Sequence, residues 1–76
     1  MDVRRVVGSN VRLWRSRRGI SQEELAFRAD IHRTYISGVE RGVRNPTILV
    51  LARIAKALQI DPTNLLTSGR KSRAAR

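Results

Sequence analysis

The segment Gly19-Ile20-Ser21-Gln22-Glu23-Glu24 ends one helix and starts another within a few residues. It limits the chain to short helices joined by tight turns. Glycine readily closes a helix in left-handed backbone. Ser21, three residues before Glu24, makes a capping box: Ser21 accepts from the Glu24 amide and Glu24 reaches back to the Ser21 amide. Glu23 and Glu24 suit the positive end of the new helix, and Ile20 and Leu25 occupy the staple positions around it. Similar punctuation recurs at Gly42, at Asn45-Pro46-Thr47 and at Asp61-Pro62, as helix stops or cap-plus-proline starts.

Apolar spacing fills in the helices between these marks. Helix one is expected from about Asp2 to Arg18, with Val3, Val7, Val11 and Trp14 on one face and arginines over the rest. Helix two should run from Gln22 to Arg28, with Leu25, Ala26 and Ala29 inward. A turn at Ala29-Asp30-Ile31 follows, in which Asp30 must tolerate a turn conformation. Helix three should run from His32 to Arg41, with Ile36 and Val39 inward. Helix four opens at Pro46 or Thr47, and Ile48, Leu51, Ile54, Ala55 and Leu58 form its core stripe. A short helix five starts at Asp61-Pro62 and ends near Thr67. The expected architecture is thus all-α: a five-helix domain over 1–67 and a basic flexible tail over 68–76, with Arg70, Lys71, Arg73 and Arg76 and no apolar period.

The 76 residues make one domain. A chain this short buries only roughly 60% of its unfolded surface, which leaves a thin core and little room for a substrate cleft. Sixteen Lys and Arg against six Asp and Glu give a net charge of +10. Only Lys56 and Lys71 are lysines. Such a field draws polyanions, and arginine suits bidentate contact with phosphates and guanine edges. Cysteine is absent, so neither a disulfide framework nor a thiolate metal site is expected. His32 is the one histidine, and no metal or cofactor is expected. No apolar run approaches the ~20 residues of a membrane span, and the N-terminal residues lack the apolar stretch of a signal peptide. A bacterial or phage protein of the cytoplasm, associated with the nucleoid, is the simplest placement. Glu23, Glu24, Glu40 and Asp61 have structural explanations, so no nucleophile–base pair or metal cluster remains for an enzyme.

Two short helices joined by a tight turn in a basic all-helical domain form a helix-turn-helix. Its second helix can enter the DNA major groove if its inner face is apolar and its outer face carries groups that reach base edges. Here the outer positions of helix three are Arg33, Thr34, Ser37, Gly38 and Arg41, with no carboxylate among them.

Gly19-Ile20-Ser21-Gln22-Glu23-Glu24-Leu25-Ala26, Arg33-Thr34-Tyr35-Ile36-Ser37, Val39-Glu40-Arg41-Gly42, Asn45-Pro46-Thr47 and Ile54-Ala55-Lys56-Ala57-Leu58 resemble, in that order, the XRE family of phage Cro and repressor proteins. The similarity runs from about Val7 to Thr67. Within the family, His32-Arg33-Thr34-Tyr35-Ile36-Ser37 looks most like controller proteins of restriction-modification systems. The resemblance implies a compact lambda-repressor-like fold, and a homodimer on a (pseudo)palindromic operator in double-stranded DNA. It implies base contacts by Arg33, Thr34, Ser37 and Gly38. It implies contacts to the DNA backbone or nearby groove edges by Gln22, Tyr35, Arg44 and Asn45. It implies an ion pair between Arg15 and Glu40. Asp30 departs from the family's frequent glycine, His32 from its frequent Ser or Thr cap, and Gly38 lacks a side chain where relatives carry a base-reading group.

Alternatives stand beside these assignments. Arg33 has a phosphate contact as its other role, Thr34 a purely helical one, and Tyr35 divides between packing and DNA. Arg4, Arg5 and Arg12 fit an ordinary solvated face, and Trp14 fits the core. Leu49, Val50, Leu65 and Leu66 exceed what the core needs and are the expected dimer surface, against ordinary partial exposure. RNA polymerase is a further partner in an activator, through Glu40 and its neighbours. Two other functions compete with the regulator: nonspecific DNA coating, which leaves the ordered motifs unexplained, and a toxin-binding antitoxin-like module.

Overall fold

The computed structural model describes residues 2–68. They form four α-helices: α1 (Val3–Arg18), α2 (Gln22–Ala29), α3 (Arg33–Glu40) and α4 (Ile48–Leu58), followed by one 3₁₀ turn, Pro62–Leu65. Residues 69–76 lie outside the described residues, and with them nearly all of the expected basic tail.

Each boundary has a local cause. Asp2 accepts from the Arg4 amide at the head of α1, and Gly19 ends that helix with φ 67°. Ser21 Oγ accepts from the Glu24 amide at 3.0 Å. The return half of the capping box is not made. The Glu24 carboxylate turns forward to Arg28 Nε, 2.7 Å away, an i,i+4 ion pair that outcompetes the backward reach. Asp30 closes α2 in left-handed backbone, φ 57° and ψ 48°, and Arg53 Nη2 donates to its carbonyl. His32 heads α3 without a side-chain cap. Thr47 caps α4 through the Val50 amide, and α4 itself begins at Ile48.

A fifth α-helix does not form. Asp61 accepts from the Thr63 amide and hydroxyl, and the segment makes a single 3₁₀ turn. Asn10, buried on α1, donates to the carbonyls of Leu65 and Thr67 at 2.9 and 2.8 Å. Those two hydrogen bonds pin the turn against α1, with Leu65 in the core, where none of it is exposed. Leu65 is therefore a core residue and not part of a dimer surface. The rest of the core is Val7, Val11, Leu25, Ala26, Ile36, Val39, Leu51, Ile54, Ala55 and Leu58, with Val50 and Tyr35 packed at its edge.

Two expected core residues fall outside it. Ile48 is 84% exposed because it is the first residue of α4, ahead of the turn that packs on α2. Val3 is also exposed, at the first residue of α1. Trp14 is half-buried, with the guanidinium carbons of Arg17 and Arg18 at 5.1 and 5.5 Å from its ring centre. Among the described residues no buried side-chain polar atom lacks a partner, and no helix is long and apolar enough to cross a membrane.

Candidate nucleic-acid interface

The exposed side of α3 follows from its eight residues. Ile36 and Val39 point into the core, so the opposite face, one helical turn apart, carries Thr34 and Gly38, flanked by Arg33 and Ser37. Arg33 and Thr34 are exposed and Ser37 is partly exposed. Arg33, Thr34 and Ser37 line one open hollow of about 210 Å³ together with Gln22 from the start of α2. The helix-turn-helix thus brings a residue from the first helix beside three from the second.

Behind this face the helix is anchored. Glu40, at the end of α3, keeps 1% of its side chain exposed. Arg15 Nε and Nη2 donate to its two oxygens at 2.7 and 3.1 Å. Gln22 Nε2 donates to Oε1 at 3.0 Å, and Arg12 Nε lies 3.7 Å from the same oxygen. Burial pushes the Glu40 carboxyl up, but the hydrogen bonds from Arg15 and Gln22 and the charges of Arg15 and Arg12 outweigh it. They hold the group below its ordinary value, so it is a carboxylate at neutral pH. Arg15 also donates to the Ile20 carbonyl, which ties the α1–α2 turn into the same network. So enclosed, Glu40 offers no surface to a polymerase.

Gly8 completes the anchor. A Cβ added there would collide with the carbonyl oxygen of Val39 and would stand 2.8 Å from that of Glu40. Only glycine lets α1 approach the end of α3 this closely. Nothing in the local pattern marks Gly8 beyond its place inside the apolar stripe of helix one. Asn10 is marked in the same way, as a polar residue that turns out to be buried.

The remaining assigned residues divide. Gly38 is buried, not exposed: the stem of Arg44 crosses it, and a Cβ there would stand 2.5 Å from Arg44 Cγ. Gly38 therefore presents no atom to a base edge. The Arg44 guanidinium lies 5.5 Å from the centre of the half-buried Tyr35 ring. Arg44 and Asn45 are exposed in the loop after α3. Leu49 and Leu66 are 76% and 51% exposed, whereas Val50 is half-buried.

The match to known proteins agrees with this geometry. A helix-turn-helix family model matches residues 11–65. The chain belongs to the XRE-type helix-turn-helix family. It is 47% identical over 66 residues to control protein C.BamHI of Bacillus amyloliquefaciens, covering 86% of this chain and 82% of that one. Its fold is similar to the crystal structure of the restriction-modification controller protein C.AhdI from Aeromonas hydrophila. That likeness has a TM-score of 0.80 and 40% identity, over 82% of this chain and 94% of the other. It is also similar, with a TM-score of 0.79 and 35% identity over 86% of each chain, to the controller protein C.Esp1396I. That protein was solved as a tetramer in complex with its natural 35 base-pair operator.

Proposed function

We propose that this chain is a sequence-specific DNA-binding transcriptional regulator of the restriction-modification controller type. It acts as a homodimer on a (pseudo)palindromic operator with α3 in the major groove. The observation that carries this reading is the hollow where Arg33, Thr34 and Ser37 meet Gln22, on the outer face of a helix whose inner face is fixed to α1 through Glu40. Arg33 reads a guanine edge and Thr34 a neighbouring base; Ser37 is the third base contact. Gln22, Tyr35, Arg44 and Asn45 hold phosphates and so set the register. One amide hydrogen of Gln22 is committed to Glu40, and the second is free to meet a phosphate oxygen.

Dimerisation uses the exposed apolar residues of α4 and of the chain after the 3₁₀ turn, Leu49 and Leu66, with Val50 at the edge. Ile48, exposed beside Leu49, extends that surface. Half-sites then lie about one helical turn, ~34 Å, apart. The net charge of +10 predicts binding that weakens steeply with salt, as phosphate neutralisation requires. The protein acts in the cytoplasm at the nucleoid. In an activator, RNA polymerase would have to meet a surface other than Glu40.

The test is selection of binding sites from a random duplex pool by the wild type and by Arg33→Ala. A palindromic consensus that loses information at defined positions in the variant is the expected result. Salt-sensitive binding to all DNA with no consensus overturns the reading.

A further inference from the structure

The middle of the exposed face of α3 has no side chain of its own. Gly38 is the sixth of eight helical residues, and glycine is the poorest helix former after proline. Thr34 lies one turn before it on the same face, so a side chain at residue 38 would extend the row that begins at Thr34. The space is instead taken from outside the helix. After Glu40 the chain reverses: Gly42 takes φ 77°, and the Val43 amide donates to the Gly38 carbonyl at 3.0 Å. This brings Arg44 back alongside α3. A Cβ on Gly38 would stand 2.5, 3.2 and 3.4 Å from Arg44 Cγ, Nε and Cδ. Beyond Gly38 the guanidinium rests 5.5 Å from the Tyr35 ring centre, a cation–π distance. None of the described carboxylates pairs with Arg44.

We propose that Gly38 is a positioning residue for Arg44. The bare helix surface at Gly38 and the Tyr35 ring together form a seat that presents the Arg44 guanidinium to DNA from the recognition face, where a residue-38 side chain would otherwise stand. Arginine has many rotamers, and holding it in one before binding lowers the entropy lost on contact. The seat thus makes a loop residue behave as part of the recognition helix. This rests on the regulator reading above, since it takes that face as the one that meets DNA.

The experiment is a double-mutant cycle of Gly38→Ala and Arg44→Ala. Each variant is measured by thermal melting and by binding to the consensus duplex that the wild type selects, at several salt concentrations. Arg44→Ala should weaken binding about tenfold or more for each of the dimer's two copies of Arg44, as for a charged hydrogen bond, and reduce the salt slope of the dimer by about two. Gly38→Ala should do the same while leaving Arg44 in the chain. The double variant should bind no worse than Arg44→Ala alone, which is strong coupling. Arg44→Ala removes all three of the atoms nearest to the added methyl, so Gly38→Ala in that background should raise the melting temperature by roughly 4–8 °C through helix propensity.

A Gly38→Ala protein that binds like the wild type while Arg44→Ala is weakened would mean the stem steps aside freely, and the seat falls. Losses that multiply in the double variant would mean two independent effects, and the seat falls again. An Arg44→Ala protein that binds like the wild type removes Arg44 from the interface. A wild type that selects no consensus sinks the regulator reading and this inference with it. A clear consensus with an unaffected Gly38→Ala sinks the seat alone.

Discussion

The two sides of α3 are built by opposite rules. Toward α1 every group is committed: Gly8 lets the backbones meet, Glu40 accepts from Arg15 and Gln22, and Ile36 and Val39 are enclosed. Toward solvent Arg33 and Thr34 are exposed, and no hydrogen bond or ion pair among the described residues engages their side chains. The inner side is a mount, and on the function proposed above the outer side is the reader. Changes to the mount should cost stability and disturb the reader only through it. Changes to the reader should retarget binding and leave stability alone.

The largest effect is expected at the mount. Arg15→Ala leaves Glu40 buried with only Gln22 and the more distant Arg12 for partners. Breaking a buried pair from one side costs about 3 kcal/mol or more. A domain of this size is stable by roughly 4–11 kcal/mol in all, so the variant should lose a large part of its denaturant resistance. Replacing Arg15 and Glu40 together by apolar residues should recover much of the loss, as isosteric swaps of buried pairs do. A single Arg15→Ala protein that melts with the wild type would break the comparison at its centre.

Gly8→Ala comes next. On an ordinary helix this change stabilises by about 1 kcal/mol. Here the methyl group meets two backbone carbonyls that cannot rotate away, and overpacking of this kind costs about 1–3 kcal/mol. The sign of the change is the measurement. Stabilisation would show that α1 can slide off the end of α3 without penalty.

Arg33→Ala tests the reader. Its unfolding free energy should stay within about 0.5 kcal/mol of the wild type, while discrimination at one position of each half-site should fall by about 1–3 kcal/mol. A uniform loss across all sequences would move Arg33 from base to phosphate.

Acid sharpens the contrast further. The folded-state value of Glu40 is depressed below the ordinary 4.5. The stability this carboxylate provides is therefore fully present above that pH and is lost as pH falls through and below it. The caps Asp2 and Asp61, held down chiefly by their hydrogen bonds to Arg4 and Thr63, act with the same sign from exposed positions. Glu40→Gln should flatten the acid limb of a stability-versus-pH series while leaving the contribution of the caps. An unchanged acid limb would show that Glu40 is no more stabilised as an anion in the fold than out of it.

How much of this was legible in the sequence depended on the range of the interaction. The helix stop at Gly19 and the caps at Ser21 and Asp61 are set by neighbours within four residues, so local chemistry locates them, although the segment that Asp61 caps is one 3₁₀ turn and not the expected helix five. Half of the capping box failed for an equally local reason, the competing Arg28. The placement of Leu65, Ile48 and Gly38 is not legible in the helical pattern, because each depends on how the surrounding segments pack. Leu65 is surplus to a core made of helix stripes alone, since a 3₁₀ turn held by Asn10 delivers it. Ile48 matched the stripe of α4 but precedes the packed turn. Gly38 sat on the outward face by spacing, and only the returning loop reveals that Arg44 covers it. The candidate reading residues Arg33, Thr34 and Ser37 lie where the helical period places them, because an exposed face needs no partner to define it.

The smallest effect is expected at the hinge between the two helices of the motif. Asp30 holds left-handed backbone, φ 57°, which costs a non-glycine residue roughly 1–2 kcal/mol, less for Asp because its side chain can bond locally. Arg53 steadies it through the Asp30 carbonyl at 2.6 Å and, at 3.4 Å, the nearly fully exposed carboxylate. Asp30→Gly removes the strain and keeps the carbonyl contact, but it frees the unfolded chain and gives up a surface ion pair worth at most about 1 kcal/mol. These terms nearly cancel, so the unfolding free energy should rise by only a few tenths of a kcal/mol. Operator selection should be unchanged, because neither the mount nor the reader is touched. A marked loss of DNA specificity in Asp30→Gly, with stability intact, would show that the turn sets the angle of α3. The mount would then have to be redrawn to include it.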